Sequence, residues 1–249
     1  MSEVKINPEG KVALVSGGNR GIGKAIVVEL LERGAKKVYA GARNPETLVV
    51  LKEKYGDRLV PLQLDVTNAA SIENAVKTSN DVEILINNAG VLKFDSLLGK
   101  DAAENLSFQL AVNVHGVINL TNAFVDQLKE KDAAAIAIVS SLAGLANMPV
   151  IGTYSVTKAA VHSVTQGYRA ELAESNVLVS GVYPGAIDTD MTAAMEMGKD
   201  TPENVAKAVV DGLIAGKEDI YPDVMSEQLG VGYGSSPKAI EKEFAKYIG

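Results

Sequence analysis

The sequence predicts an α/β protein built on one doubly wound parallel sheet, and three observations predict it. Short runs rich in valine, isoleucine and leucine alternate with amphipathic stretches from residue 11 to residue 221. The first of these runs stops at a cluster of glycines that opens a helix. The 249 residues hold neither an internal repeat nor a low-complexity linker, so one domain over 1–249 is expected rather than two. Strands that alternate with helices in this way lie parallel, with helices on both faces.

Residues 11–16 (KVALVS) end at Gly17 and Gly18, as a strand buried on both faces does. Gly21 and Gly23 continue the turn, and residues 24–33 read as a helix closed by Gly34. Residues 38–42 are a second strand. Asn44 and Pro45 are an N-cap and a proline at the first helical position, so a helix follows to about Tyr55, where Gly56 ends it. Residues 59–64 form the third strand, with Asp65 at its C-terminal end, and residues 68–79 the next helix. Residues 83–86 are the fourth strand and run into Asn87, Asn88, Ala89 and Gly90. One long helix is expected over 101–131, where Leu106, Leu110, Val114, Val117 and Leu120 recur at spacings of three or four, with Asn113 among them. The fifth strand, 134–139, ends at Ser140 and Ser141; a helix over 152–174 and a sixth strand over 177–182 follow. A loop over 183–200 leads to a helix opened by Thr201 and Pro202, then to a last strand at Ile220 and Tyr221. The glycine-rich segment 230–236 is either a flexible connection or a cover over a pocket, and Ser236 and Pro237 start a terminal helix. This is the order of a Rossmann fold, with a C-terminal extension over 222–249.

Composition narrows the function. Hydrophobic residues at 47% against 22% charged argue against extensive disorder. A net charge of -7, from 31 acidic and 24 basic residues, argues against nucleic acid or an anionic membrane as partner. The absence of cysteine removes disulfides and thiolate metal sites. Neither a signal-like N-terminus nor an apolar run approaching the ~20 residues of a membrane span is present, so a soluble, cytoplasmic protein is expected.

In a doubly wound sheet, ligands bind beyond the C-terminal ends of the strands. The turn SGGNRGIG lies there, between a strand and a helix, where glycines let the backbone approach a pyrophosphate and the helix N-terminus favours its charge. At the end of the second strand an acid would hold the ribose 2′-hydroxyl of NAD; this chain has Ala42 and Arg43 instead. Arg43, with Arg20 in the turn, suits a 2′-phosphate, so NADP(H) is the expected cofactor. Further on, Tyr154 and Lys158 stand four residues apart and leave the same helical face. An ammonium close to a phenol lowers its pKa and suits it to proton exchange with a substrate oxygen.

Together these residues resemble the short-chain dehydrogenase/reductase family, from about residue 11 to residue 221. The glycine motif is Gly17, Gly21 and Gly23, the adenine-side aspartate is Asp65, and the Asn-Asn-Ala-Gly motif is residues 87–90. Asn113 matches the helix asparagine, and Pro184, Gly185 and Thr189 match the Pro-Gly and threonine that follow the sixth strand. The catalytic serine of the family lies thirteen residues before the tyrosine, which selects Ser141 over its neighbour Ser140. The resemblance implies a catalytic tetrad of Asn113, Ser141, Tyr154 and Lys158. It implies cofactor contacts from Gly17, Asn19, Arg20, Gly21, Ile22 and Gly23, then Arg43, Asp65 and Val66, then Asn88, Ala89 and Gly90. Tyr154, Lys158, Pro184, Gly185, Ile187 and Thr189 complete that set. Tyr154 would protonate a carbonyl oxygen, Ser141 would steady it, Lys158 would hold the nicotinamide ribose and lower the phenol pKa, and Asn113 would hold a water. The alternative for Asn113 is a helix asparagine satisfied by backbone.

The same geometry implies a substrate pocket from Ser141, Leu142, Leu145, Met148, Ile151 and Tyr154, with Met191, Met195 and Met197 in a short substrate loop at about 186–200. This lining is apolar, so a ketone or aldehyde with hydrophobic bulk is expected, reduced with NADPH as by a carbonyl reductase. Two alternatives remain: an NAD-linked alcohol dehydrogenase acting mainly in oxidation, and a catalytically silent dinucleotide-binding regulator. The resemblance also implies a homodimer or homotetramer built through the helices over 101–131 and 152–174, where Ala159, Ala160 and Val164 permit close approach. His115 and His162 lack partners at metal spacing, Asp188 and Asp190 read as solvated loop acids, and no metal is required.

Overall fold

The structure, a computed structural model, describes residues 4–247. Seven parallel strands form one sheet in the order β3-β2-β1-β4-β5-β6-β7: β1 Val12–Ser16, β2 Lys37–Ala42, β3 Leu59–Gln63, β4 Ile84–Asn87, β5 Ala134–Val139, β6 Val177–Val182 and β7 Asp219–Ile220. The chain winds outward from β1 in one direction to β3, then returns and winds the other way from β4. The order reverses between β1 and β4, where Val15 pairs with Ala40 on one side and Ile86 on the other.

Burial explains the strands. All five residues of β1 are buried, and alternate side chains enter different cores: Ala13 and Val15 on one face, Val12 and Leu14 on the other. Helices α1 (Gly21–Glu32), α2 (Val49–Tyr55) and α7 (Pro202–Ala215) cover the first face, with Ile26, Leu30, Val205 and Val209 in its core. On the second face lie α3 (Ala69–Thr78), α4 (Ala102–Leu110), α5 (Gly116–Lys129) and α6 (Gly152–Glu171), with Ile72, Phe124 and Val161 inside. A third, smaller core joins Leu142, Met148 and Tyr183 to Ile240 and Phe244 at the C-terminal end of the chain.

Three segments differ from expectation. The first helix starts at Gly21, within the glycine turn, rather than at residue 24. The long helix over 101–131 is α4 and α5 joined by a wider π-turn, Ala111–His115, in which Asn113 is buried. There Gly116 lies against Val66, where a Cβ would come within 2.6 Å of Val66 Cγ2. The segment 230–236 is neither a loose connection nor a flap: it is the second half of helix α8, Val224–Ser235, followed by α9, Pro237–Phe244. Asp223 and Ser226 cap α8 reciprocally, and Gly230 is required where a Cβ would come within 2.1 Å of the Tyr221 ring. No helix among the described residues is long and apolar enough to cross a membrane.

Candidate active site

The C-terminal ends of β1, β4, β5 and β6 open into one cavity of about 560 Å³. Every residue of the expected cofactor set lines it, from Arg43 and Asp65 at one end, past the glycine turn, to Lys158, Tyr154 and Gly185 at the other. The turn is built as a cradle that only glycine fits. Gly17 has φ of +66°, and a Cβ on Gly23 would lie 2.2 Å from the Gly17 carbonyl oxygen and 2.4 Å from Asn88 Nδ2. Asn88 donates to the carbonyls of Ser16 and Gly17 at 3.0 and 3.2 Å, and the Ser16 hydroxyl accepts from the amides of Asn88 and Ala89 at 3.0 Å each. The ends of β1 and β4 are thus tied at the switch point, and the room left beside bare backbone fits a dinucleotide pyrophosphate.

At the end of the cavity away from Tyr154 and Lys158, Asp65 accepts from the amide and hydroxyl of Thr67 at 2.9 and 2.7 Å. Those bonds, with a smaller contribution from Arg43, hold its carboxyl below the ordinary aspartate value. Arg43 is exposed on the cavity rim, while exposed Arg20 lies 3.8 Å from Asp190 across the cavity mouth. Asp190 is a solvated acid, as expected, that also makes this long surface contact. A surface pair at that distance is weak, so Arg20 remains available to an anion.

Around Tyr154 the structure separates the two serines. Ser140 is buried and donates to the Lys158 carbonyl at 3.1 Å. Ser141 faces the cavity beside Tyr154, donates to the Pro184 carbonyl at 3.3 Å and accepts from the Ala143 amide at 3.2 Å. Lys158 is only 5% exposed and donates to the Val139 carbonyl at 2.8 Å, with its Nζ 5.6 Å from the centre of the Tyr154 ring. Burial pushes its pKa from 10.5 down to about 8. Burial also raises the phenol of Tyr154 above its ordinary value, the nearby Ser141 hydroxyl opposing this. In this arrangement the ammonium does not lower the phenol as the spacing suggested, because the β5 carbonyl holds it and burial dominates.

Asn113 does not line the cavity. Its side chain accepts from the Val91 amide at 2.8 Å and donates to the Val91 carbonyl at 2.9 Å and to Thr157 Oγ1 at 3.0 Å. It is the last rung of a ladder that the sequence reading missed. Buried Gln109 accepts from the Lys93 amide at 3.0 Å and donates to Thr153 Oγ1 at 2.9 Å, while Asn105 donates to Asp95 at 3.0 Å. Residues 105, 109 and 113, one helical turn apart, thus grip residues 95, 93 and 91 of the loop after β4, and two of them also hold α6 on either side of Tyr154. The i, i+4 recurrence of polar side chains in an apolar helix was the available signal.

Beside Ser141 and Tyr154 lies a side cavity of about 60 Å³ lined by Leu142, Met148, Ile151, Met191, Met195 and Met197 of the expected substrate set. Leu145 lines neither cavity; it is turned into the third core. Met225 of α8 and Phe244 of α9 also form the wall and were not foreseen. His162 is outside both cavities, with Nδ1 2.8 Å from the Tyr183 hydroxyl, and His115 is exposed. Among the described residues no cluster of three potential metal ligands occurs.

The profile of the short chain dehydrogenases matches residues 11–200. A 3-oxoacyl-acyl-carrier-protein reductase of Vibrio cholerae is 38% identical over 195 residues, covering 76% of this chain and 79% of that protein. An uncharacterized oxidoreductase of Staphylococcus aureus is 32% identical over 210 residues, 82% of this chain and 90% of the relative. The crystal structure of a short chain dehydrogenase from Burkholderia cenocepacia in complex with NADP superposes with a TM-score of 0.89 at 34% identity, covering 96% of this chain and 99% of that one.

Proposed function

The chain belongs to the short-chain dehydrogenase family of oxidoreductases, and from that premise we propose that it reduces a ketone or aldehyde of apolar bulk to an alcohol with NADPH. The observation that carries this reading is the placement of the Ser141–Tyr154 pair in both cavities, the smaller of which is lined by five methionines and no charged side chain. Such a wall accepts alkyl or aryl groups and offers a phosphate or carboxylate nothing to pair with.

The residues present fit a dinucleotide: the glycine cradle leaves bare backbone for the pyrophosphate, and Arg43 with Arg20 supplies charge for a 2′-phosphate. The NADP-bound Burkholderia structure supports that choice. When bound, the nicotinamide supplies the hydride. Ser141, whose single hydroxyl proton goes to the Pro184 carbonyl in the free protein, turns that proton toward the substrate carbonyl oxygen and steadies the charge that develops there. Tyr154, held neutral by burial, gives its proton to that oxygen. Lys158, positively charged below pH about 8, would hold the nicotinamide ribose. Asn113, Gln109 and their ladder hold the helix that carries both.

The test is a pair of fluorescence titrations with NADPH and NADH, followed by a panel of alkyl and aryl ketones, aldehydes and a 3-oxoacyl thioester. NADPH should bind more tightly, with the preference lost in Arg43→Ala, and Tyr154→Phe should bind NADPH normally yet nearly abolish turnover. Stronger binding of NADH, or full activity in Tyr154→Phe, overturns the reading. We further propose a homodimer or homotetramer assembled through α4, α5 and α6, where Ala159 is exposed and Ala160 and Val164 are partly so; sedimentation as a monomer would count against it.

A further inference from the structure

The peptide group between Pro184 and Gly185 is gripped at both ends. Its carbonyl oxygen accepts from the Leu142 amide at 3.0 Å and from the Ser141 hydroxyl at 3.3 Å. Its N–H donates to Asp223 Oδ2 at 2.8 Å. The other oxygen of the same carboxylate accepts from the Ser226 amide at 2.9 Å, so both oxygens are engaged, and Asp223 is only 6% exposed. The contact leaves no slack: a Cβ on Gly185 would come within 2.9 Å of Asp223 Oδ1 and 3.2 Å of Met225 Sδ.

A carboxylate bonded to an amide N–H does two things to the peptide behind it. It fixes the plane, because a charge-assisted hydrogen bond is shorter and stronger than a neutral one. It also makes the carbonyl a better acceptor, since hydrogen bonds in series polarise one another. Here that carbonyl is the partner of Ser141, and both Pro184 and Gly185 line the cavity beside Ser141 and Tyr154.

We propose that Asp223 is a positioning residue of the reduction site: through the Pro184–Gly185 peptide it sets the orientation of the Ser141 hydroxyl. Asp223 lies beyond the residues matched by the family profile, at the head of the C-terminal extension that also lends Met225 and Phe244 to the side cavity. The extension is thereby part of the site rather than an appendage, and the inference rests on the reductase reading above.

The experiment compares Asp223→Asn and Asp223→Ala with Ser226→Ala. Asparagine has one acceptor where two amides point, and alanine has none. Ser226→Ala removes the hydroxyl that accepts from the Asp223 amide at 3.0 Å, so it weakens the same cap without touching Gly185. Amide proton shifts of Gly185 and Leu142 in the cofactor-free protein report whether the peptide has moved. An Asp223 variant in which the Gly185 signal moves upfield should also shift Leu142, lose about tenfold in kcat at little change in the KM for NADPH, and lose far less in a Ser141→Ala background. Ser226→Ala should lower Tm comparably and keep kcat within about twofold. A Leu142 signal that stays put after the Gly185 bond is lost overturns the inference whether or not any ketone is turned over. Full additivity with Ser141→Ala, or an equal fall in kcat for Ser226→Ala, overturns it too. Failure of the wild type to reduce any carbonyl instead overturns the reductase reading and leaves the amide test standing.

Discussion

Replacing Lys158 by Met should make the cofactor-free protein more stable near neutral pH. Lys158 is buried, the only hydrogen bond of its ammonium among the described residues is to the Val139 carbonyl, and desolvation brings its pKa from 10.5 to about 8. Below pH 8 both the folded and the unfolded chain carry the proton, and the folded one bears the full cost of burying the charge. A drop from 10.5 to about 8 corresponds to about 3 kcal/mol. Met has a similar stem and no charge, but leaves Val139 without the ammonium, a loss of about 1 kcal/mol. The net expectation is a gain of about 2 kcal/mol at pH 7. Between pH 8 and 10.5 the unfolded wild type binds more protons than the folded one, so wild-type stability rises with pH and the advantage of Lys158→Met shrinks. Urea unfolding of both proteins at pH 7 and pH 10 measures this directly. A variant less stable than wild type at pH 7, or an advantage that does not change with pH, refutes the reasoning. The same titration should appear in catalysis as a fall in kcat/KM for reduction as pH rises through about 8, since that ratio reports the free enzyme.

Other consequences are local. Gly23→Ala forces a Cβ to within 2.2 Å of the Gly17 carbonyl, so NADPH affinity should fall by at least about tenfold with the circular dichroism retained; Gly232→Ala, with nothing within 4 Å of its Cβ, should instead stabilise α8 by up to about 1 kcal/mol. Gln109→Leu leaves the Lys93 amide and the Thr153 hydroxyl without partners and should cost about 1–3 kcal/mol in urea unfolding, with a larger fall in kcat than in NADPH affinity. Phe244→Ala empties a buried ring position in the side-cavity wall, so it should cost about 3–5 kcal/mol and lower the KM of bulkier ketones relative to small ones.

What the sequence revealed and what it concealed divide along the range of the interactions involved. Strands buried on both faces, such as β1, announce themselves as unbroken apolar runs, and the cap at Asn44 and Pro45 is a local bond between Asn44 Oδ1 and the Glu46 amide. The glycine turn was legible because its strain is local, with φ positive at Gly17 and Gly21. Helix α8 was not, because Gly230, Gly232 and Gly234 lower its intrinsic propensity, and its stability comes from the Asp223–Ser226 cap and the packing of Gly230 on Tyr221. The π-turn at 111–115 was equally hidden, since the apolar period runs through it unbroken while its polar anchor, Asn113, finds its partner at Val91. Spacing placed Tyr154 and Lys158 on one helical face, but it could not say which atom the ammonium meets. That is decided by β5, whose last carbonyl holds Lys158 nineteen residues away in sequence. The same reasoning explains why spacing could bring Ser141, Tyr154 and Lys158 to one strand end and one helix face, whereas the residues packed against them stayed hidden. Tyr154 and Lys158 sit at a fixed spacing within one element, whereas Gln109 and Asp223 act across 16 to 44 residues, Phe244 packs on residues still further away in sequence, and only the folded sheet brings them to the site.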